Sequence, residues 1–233
     1  MKTRVILAVC VLMATVSFAQ NQKINEVEVT APKFQSELYK SVNEFLNSNA
    51  EYPSELKNAG IQGTEVIAFV VSPKGEISDY EVINSVSPAF DKEVIDLLET
   101  TNGKWNPGTA NGKQVEMKTE VSVAFFLHSA GDMIKTARHY QEKGNFWMFT
   151  KNNPEKARKY YNLGITLLPN EESLLAMRSL CSYEMGNINE AEKDWNRIKT
   201  LANINNSVFD LENYAEFSGT TKGYAEMIKT IKK

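Results

Sequence analysis

The 233-residue chain is poor in cysteine, proline and glycine, and each shortage excludes a class of protein. It contains 2 Cys, 7 Pro and 12 Gly. Two cysteines cannot build a disulfide scaffold, and so little Pro and Gly excludes a collagen-like or low-complexity chain. Because 10% of the residues are aromatic and only 24% are charged, the chain is not wholly disordered. We therefore expect it to fold around its own apolar core.

The chain also lacks an excess of positive charge. The chain has 26 Lys and Arg against 29 Asp and Glu, a formal net charge of −3, and it has no run of basic residues. Nucleic-acid-binding domains usually show a basic patch, and so do surfaces that bind anionic membranes. The sequence therefore argues against both and predicts no nucleic-acid partner.

The N-terminus has the pattern of a secretory signal peptide. Lys2 and Arg4 precede an apolar run over residues 5–19, which ends in Ser17-Phe18-Ala19. This run is shorter than the roughly 20 residues that a membrane-spanning helix needs. We therefore predict an exported protein whose signal peptide, residues 1–19, is cleaved after Ala19, and whose mature chain has no membrane span.

The chain from residue 20 to residue 128 alternates between strand and helix patterns. Residues 20–35 form a strand-like leader, and the spacing of Leu38, Val42, Phe45 and Leu46 predicts a helix that begins near residue 36. Strand patterns follow at residues 65–72, 76–84 and 115–127, with a helix that begins at Ser87-Pro88 between the last two. These patterns predict an α+β domain over residues 36–128, with a three-stranded antiparallel sheet that has one solvated face and is packed with helices.

Residues 132–233 are helical in period and contain an internal repeat. Ala157, Tyr161 and Gly164 recur 34 residues later as Ala191, Trp195 and Ile198, Asn152 recurs as Gly186, and a further Ala lies at Ala225. A 34-residue period with a small residue followed by an aromatic one is typical of a helix-turn-helix solenoid. We predict an all-α array in which Ala157, Tyr161, Gly186, Ala191 and Trp195 pack the repeats together.

Residues 52–127 resemble the C-terminal domain of TonB, the periplasmic energy transducer of Gram-negative bacteria. The matching elements include Gly63, Ser72-Pro73-Lys74-Gly75, Phe90-Asp91-Lys92-Glu93 and Gly112-Lys113-Gln114-Val115. The single residues of the motif that we expect to be structural are Tyr52, Pro53, Gly75, Trp105, Pro107, Gly108 and Gly112.

The resemblance implies that the last strand is an open edge that binds an extended segment of another protein by strand addition. The residues predicted for this peptide-binding edge are Val115, Glu116, Met117, Lys118, Thr119, Glu120, Val121, Ser122 and Val123. The alternating residues from Ile24 to Ala31 look like the segment near the TonB box of TonB-dependent receptors, so this segment is itself a candidate strand ligand that pairs with the open edge of its own domain or of a neighbour's. Alternatively, they only begin a linker.

Residues from about 138 onward resemble tetratricopeptide repeats, which implies a surface that recruits a second protein. The partners implied by the two resemblances are envelope proteins, including TonB-dependent outer-membrane receptors. A homodimer through the edge strand is left open.

The sequence offers little for catalysis. His128 and His139 have no metal-ligand spacing, and Cys181, the single thiol of the predicted mature chain, lies in an apolar context typical of a buried small residue. Asp91 and Glu93 fall on the polar side of their helix, which indicates solvated charges rather than an acid–base pair. We therefore predict no enzyme, no catalytic or metal site and no cofactor.

The sequence favours a periplasmic, non-catalytic interaction module that binds extended peptides of envelope proteins, with the repeats recruiting a second partner. The alternative is a TonB-type energy transducer anchored by an uncleaved N-terminal segment. In TonB the anchor characteristically carries a His and is followed by a Pro-rich spacer, but residues 5–19 contain no His and no such spacer follows. A third interpretation is an accessory subunit of an envelope enzyme.

Overall fold

The computed structural model of the chain describes residues 28–204 together with residues 223, 224 and 227. The predicted signal peptide, the start of the leader and Ala225 lie outside the described residues. The described part is an α+β unit followed by helices, which confirms the predicted fold class. None of its helices has the length and apolar character needed to cross a membrane.

The strands are β1 (Val29–Thr30), β2 (Lys33–Phe34), β3 (Gly63–Val71), β4 (Ile77–Asn84), β5 (Trp105–Asn106), β6 (Thr109–Ala110), β7 (Lys113–Gln114) and β8 (Met117–Phe125). The helices are α1 (Val42–Asn49), α2 (Ser54–Asn58), α3 (Pro88–Glu99), α4 (Ala130–Asn145), α5 (Pro154–Leu167), α6 (Glu172–Glu184) and α7 (Ile188–Ile204). Between α4 and α5, residues Phe146–Thr150 form one π-helical turn.

The main sheet is antiparallel with the strand order β4-β3-β8. β3 lies in the centre and is buried along nearly its whole length, as expected for a run rich in β-branched and aromatic residues. The alternate residues Val121, Val123 and Phe125 of β8 join α1 and α3 in one apolar core. This arrangement confirms the predicted three-stranded sheet.

Two predicted boundaries were wrong. The first helix begins at Val42 and not near residue 36, because the Ser36 hydroxyl accepts from the amides of Leu38 and Tyr39 in a local turn and Ser41 caps the helix. Leu38 is consequently 85% exposed. The last strand begins at Met117 and not at residue 115, because the Val115 amide donates to the carbonyl of Gly108 instead of joining the sheet.

The leader pairs with the loop that precedes β8. β1 is antiparallel to β6, and β2 is antiparallel to β5. Phe34 is buried, with its ring centroid 5.6 Å from those of Phe45 and Trp105. Residues 28–35 are therefore part of the α+β unit.

The helices after β8 form two hairpins with equivalent turns. The hairpin α4–α5 is followed by α6–α7, and the turn residues Asn152 and Gly186 both have positive φ, at 48° and 77°. Ala157 and Ala191 are fully buried, and Tyr161 and Trp195 lie in the same apolar cluster. Among the described helices, residues that recur 34 positions apart therefore pack in equivalent places within the array.

The helical array covers part of the sheet face that the sequence predicts to be solvated. The Arg197 guanidinium on α7 makes two hydrogen bonds to the Glu120 carboxylate on β8, at 2.7 and 2.9 Å. The Thr64 hydroxyl on β3 donates to the Leu167 carbonyl at the end of α5, at 2.7 Å. The expectation of a fully solvated face is therefore wrong near β3 and β8, because the helical array packs against this face and covers it there.

Gly75 is the glycine on which the β3–β4 turn depends. Its φ is +79°, and a Cβ at this position would overlap the carbonyl oxygen of Trp105. Gly103 has a similar φ of +74° but open space around the same position. Comparing substitutions at Gly75 and Gly103 therefore distinguishes the cost of backbone strain from the cost of steric overlap.

We expect Gly75→Ala to lower the free energy of unfolding by about 3 kcal/mol, because left-handed strain and overlap with Trp105 add together. Gly103→Ala should cost only about 1 kcal/mol, since strain acts there alone. Urea denaturation at 25 °C measures both values. Equal losses in the two variants would contradict the contact between the turn and Trp105.

Candidate functional site

β8 is an edge strand, since it pairs with β3 on one side only. The two strands are in register over nine consecutive pairs, from Gly63 with Phe125 to Val71 with Met117. In such a ladder the main-chain groups of alternate residues face the neighbour and those of the others face away from it. The contacts of Ser122 and Ala124 with α1 show that the even-numbered residues of β8 face away from β3.

Helix α1 lies across the upper part of this edge. The Asn43 Oδ1 atom accepts from the Ser122 amide at 3.2 Å, and the Asn47 Oδ1 atom accepts from the Ala124 amide at 3.3 Å. The Asn47 Nδ2 atom also donates to the Ser122 carbonyl at 3.5 Å. Two asparagine side chains thus occupy the groups that an added strand would use there.

The lower part of the edge is not covered in this way. Lys118 and Glu120 have the same parity as Ser122, so their main-chain groups also face away from β3. Among the described residues, none makes a hydrogen bond to these outward groups. The structure thus leaves a short uncovered segment centred on Lys118 and Glu120.

The side chains beside this segment are held by ion pairs. Lys118 pairs with Glu81 across the sheet on β4, and Glu120 pairs with Arg197, both side chains of the second pair being less than 20% exposed. Arg197 also donates to Asn170 at 2.6 Å. Glu120 therefore fixes β8 to the helical array rather than being a free polar neighbour of the edge.

The opposite edge of the sheet is irregular. The pairing of β4 with β3 shifts register twice, and Asp79 on β4 has a φ of +53°. Bulges of this kind bend an edge strand and hinder the addition of another one. β8 is therefore the edge with the regular geometry that strand addition requires.

The predicted edge residues fall into three groups. Val115 and Glu116 precede the strand, and the residues that pair inward towards β3 are Met117, Thr119, Val121 and Val123. Lys118, Glu120 and Ser122 face outward, with Ser122 occupied by α1. Ala124, absent from the predicted set, is a fourth outward residue; the alternation of the strand was the signal for it.

The motif residues surround β8 and its approach. The Tyr52 ring meets Phe90 and Phe125 edge-on, and its hydroxyl donates to the Ile61 carbonyl. The Trp105 Nε1 atom donates to the Thr101 hydroxyl at 3.1 Å. Pro53 precedes α2, and Pro107 lies between β5 and β6. Gly112 has a φ of +74°. A Cβ on Gly108 would lie 2.8 Å from the Met117 Cε atom.

A buried carboxyl group that the sequence did not predict, Glu65, lies beside Asp91 at the N-terminus of α3. Glu65 on β3 is fully buried, and its Oε1 atom accepts from the amides of Val86 and Ser87 at 2.8 and 3.3 Å. Its Oε2 atom and the Oδ1 atom of Asp91 are both buried without another hydrogen-bond partner. Asp91 is half-buried, and its Oδ2 atom accepts from the Ser85 hydroxyl at 2.9 Å, so the interpretation of Asp91 as a fully solvated charge is wrong.

Burial is the main cause that raises the pKa of Glu65 to about 8, with the Asp91 carboxylate adding to the effect. The only sequence signal was a charged residue inside an otherwise apolar strand. Since Glu65 is enclosed between β3 and α3, it stabilises this junction better when its carboxyl is protonated than when it is ionised.

The other titratable candidates are structural or exposed. Cys181 is buried with its Sγ atom 3.7 Å from the Met148 Sδ atom, and burial raises the pKa of its thiol to about 12. His128 and His139 are exposed. In the described part of the chain, no cluster of three or more His, Cys, Asp or Glu could hold a metal ion.

We expect the Glu65 carboxyl to make stability depend on pH. In the unfolded chain it ionises near its ordinary value of 4.5, whereas the folded chain holds its proton up to about pH 8. The contribution is therefore complete below pH 4.5 and is lost as pH rises through 8, by up to about 1.4 kcal/mol per pH unit. Glu65→Gln, which stays neutral, should flatten this part of the profile of unfolding free energy.

The matched control is Glu76→Gln on the exposed β3–β4 turn, which should keep the wild-type profile. Urea denaturation at several values between pH 5 and pH 8 measures the three proteins. Parallel profiles for wild type and Glu65→Gln would show that Glu65 is already ionised in the folded chain.

Comparison with known proteins supports the α+β unit. Residues 48–127, about a third of the chain, match the family model of the Gram-negative bacterial TonB protein C-terminal. The match starts at the end of α1, after Asn43 and Asn47, and ends just beyond β8. No curated protein matches the chain. Residues 48–127 are therefore similar to the TonB C-terminal domain, and a helical array follows them.

Proposed function

We propose that the protein is a non-catalytic interaction module of the Gram-negative cell envelope, which binds an extended peptide along the outward edge of β8. The observation that carries this proposal is the regular, bulge-free edge at Lys118 and Glu120, within the segment that matches the TonB family. Envelope proteins such as TonB-dependent outer-membrane receptors are the proposed partners.

The expected affinity follows from the length of the uncovered edge. Lys118 and Glu120 each offer one amide donor and one carbonyl acceptor, so an added strand gains up to four hydrogen bonds. At about 0.5–1.5 kcal/mol net for each bond, this is roughly 2–6 kcal/mol before the peptide pays its ordering entropy. Binding at this part alone is therefore weak and reversible.

A longer contact requires that α1 leave Ser122 and Ala124. The asparagine side chains of α1 and an incoming peptide use the same main-chain groups, so they compete. Because α1 makes three hydrogen bonds there, a peptide that extends past Val121 replaces them by equivalent bonds of its own. The helix thus sets the affinity of the edge for long peptides.

The helical array adds a second function to the same module. We propose that it is a tetratricopeptide-like array that recruits a second protein, supported by the equivalent turns at Asn152 and Gly186 and by the packing of Ala157 and Ala191. The ion pair between Arg197 and Glu120 fixes the array next to the edge, so the two partners would be held close together.

Periplasmic location follows from the proposed partners and from the predicted cleavage after Ala19. Mass spectrometry of the native N-terminus tests this location against an anchored transducer. A chain that starts at Gln20 is the expected result, whereas retention of residues 1–19 would favour the transducer.

We expect Lys118→Pro to weaken the binding of a synthetic TonB-box peptide at least about tenfold, because it removes an outward amide and places a ring in the path of the added strand. Lys118→Ala is the matched control, since it keeps the amide and loses only the exposed ion pair with Glu81. Isothermal titration calorimetry measures the affinities. If both variants bind like the wild type, β8 is not the binding edge.

Removal of the two α1 side chains should have the opposite effect. We expect Asn43→Ala/Asn47→Ala to strengthen the binding of a peptide long enough to reach Ala124 by about tenfold, while it lowers the unfolding free energy by about 1–3 kcal/mol. Asn49→Ala is the control, because Asn49 bonds to Tyr39 and Phe45 and not to β8. An unchanged or weaker affinity of the double variant would contradict competition by α1.

A further inference from the structure

The turn between α4 and α5 displays aromatic side chains on the surface. Phe146 and Phe149 are 46% and 48% exposed, and they belong to the π-helical turn Phe146–Thr150, which we call the aromatic turn. Single exposed apolar residues are ordinary, but two exposed Phe residues beside a half-buried Trp147 in one turn are not. A π-helical turn is itself uncommon and is frequent at functional sites.

Buried side chains and hydrogen bonds anchor the aromatic turn to the neighbouring helices. Met148 is buried against Cys181, and the Tyr161 ring lies against Gly144 at the preceding turn of α4. Asn153 donates from its amide to the Trp147 carbonyl at 2.9 Å and caps α5 through the Lys156 amide. The backbone that carries the rings is therefore anchored, which lowers the entropic cost of binding.

Lysine side chains lie near the rings of the turn and near the ring of Tyr160 on α5. The Lys156 Nζ atom lies 3.5 Å from the centroid of the Trp147 ring, and the Lys151 Nζ atom lies 5.4 Å from that of Phe146. The Lys143 Nζ atom lies 5.7 Å from the Tyr160 centroid. Among the described residues, none of these three lysines makes an ion pair with a carboxylate.

The turn is a basic region of an acidic protein. Residues 142–159 contain five cations against Glu142 and Glu155, a local charge of +3 in a chain of formal charge −3. The five cations are Lys143, Lys151, Lys156, Arg158 and Lys159. Lys159 pairs with Glu155, and the charge of half-buried Arg158 interacts with the carboxylates of Glu190 and Asp194, so the three lysines beside the rings carry the positive charge of this surface. The sequence shows no basic run because these lysines are spaced along the end of α4, the turn and the start of α5. An anionic partner is therefore complementary to this surface.

We propose that the aromatic turn and its lysines dock the protein on an anionic phospholipid bilayer. Aromatic rings favour the boundary between headgroups and acyl chains, and lysines beside them are attracted to anionic headgroups. The turn joins two helices and therefore projects as an end, which fits the flat surface of a bilayer better than it fits an extended peptide. Neither the cleft beside Ile134 and Gln141 nor the one beside Ile83 and Arg178 is lined by residues of this turn.

The test is co-sedimentation of the full chain with vesicles of phosphatidylglycerol and phosphatidylcholine, compared with vesicles of phosphatidylcholine alone. We expect the wild type to bind the anionic vesicles preferentially and to be released by salt. Every protein compared is the full mature chain from Gln20, so the apolar run within residues 1–19 does not contribute to vesicle binding.

Two double variants test the two parts of the surface. Lys151→Glu/Lys156→Glu should weaken binding at least about 25-fold, at about fivefold for each lysine charge. Phe146→Ser/Phe149→Ser should weaken it about tenfold or more, since the rings no longer enter the interface. Circular dichroism and thermal unfolding should be nearly unchanged, because the altered side chains are exposed.

The controls make comparable changes at exposed positions outside the aromatic turn. Lys74→Glu/Lys104→Glu alters the charge equally on the α+β unit, and Leu163→Ser removes an apolar side chain that is 46% exposed on α5. Both should bind vesicles within about twofold of the wild type. Equal binding of all variants, or equal binding to both vesicle types, would overturn the proposal. Binding to a polyglutamate peptide without binding to vesicles would also overturn it and would assign the surface to an acidic protein.

Discussion

The antiparallel pairing of β8 with β3 is the constraint on which the rest of the structure depends. Nine consecutive pairs fix the parity of β8, so the same register buries Val121 and Val123 in the core and turns the main-chain groups of Lys118 and Glu120 outward. A slip by one residue would exchange these roles and expose the apolar set. Core packing therefore specifies the geometry of the candidate binding edge without any residue dedicated to it.

Residues that precede and residues that follow the TonB-like segment both contact the edge strand β8. Asn43 and Asn47 precede the residues that match the family, and they occupy the main-chain groups of Ser122 and Ala124. Arg197, far beyond that segment, holds the Glu120 side chain. A regular exposed edge is a risk for aggregation, so covering half of it with side-chain amides limits that risk while leaving a short segment uncovered.

The sequence predicted the features that depend on neighbouring residues. Ser87 caps α3, Gly75 forms the turn before β4, and the alternation of β8 identifies its buried side chains, all of them determined within a few residues of the chain. The start of α1 was predicted wrongly for a related reason: Ser36 accepts from the amides of Leu38 and Tyr39 and Ser41 from that of Glu44, and periodicity does not show which serine caps the helix.

Only the tertiary structure decided which distant residues meet. Buried Glu65 on β3 lies next to Asp91 on α3, Arg197 bonds to Glu120 77 positions away, and side chains of α1 bond to outward main-chain groups of β8. None of these contacts has a periodic signature, because each depends on how complete elements pack. The composition, the strand parity and the 34-residue spacing were determined by the sequence itself, since they arise from local geometry that repeats along the chain.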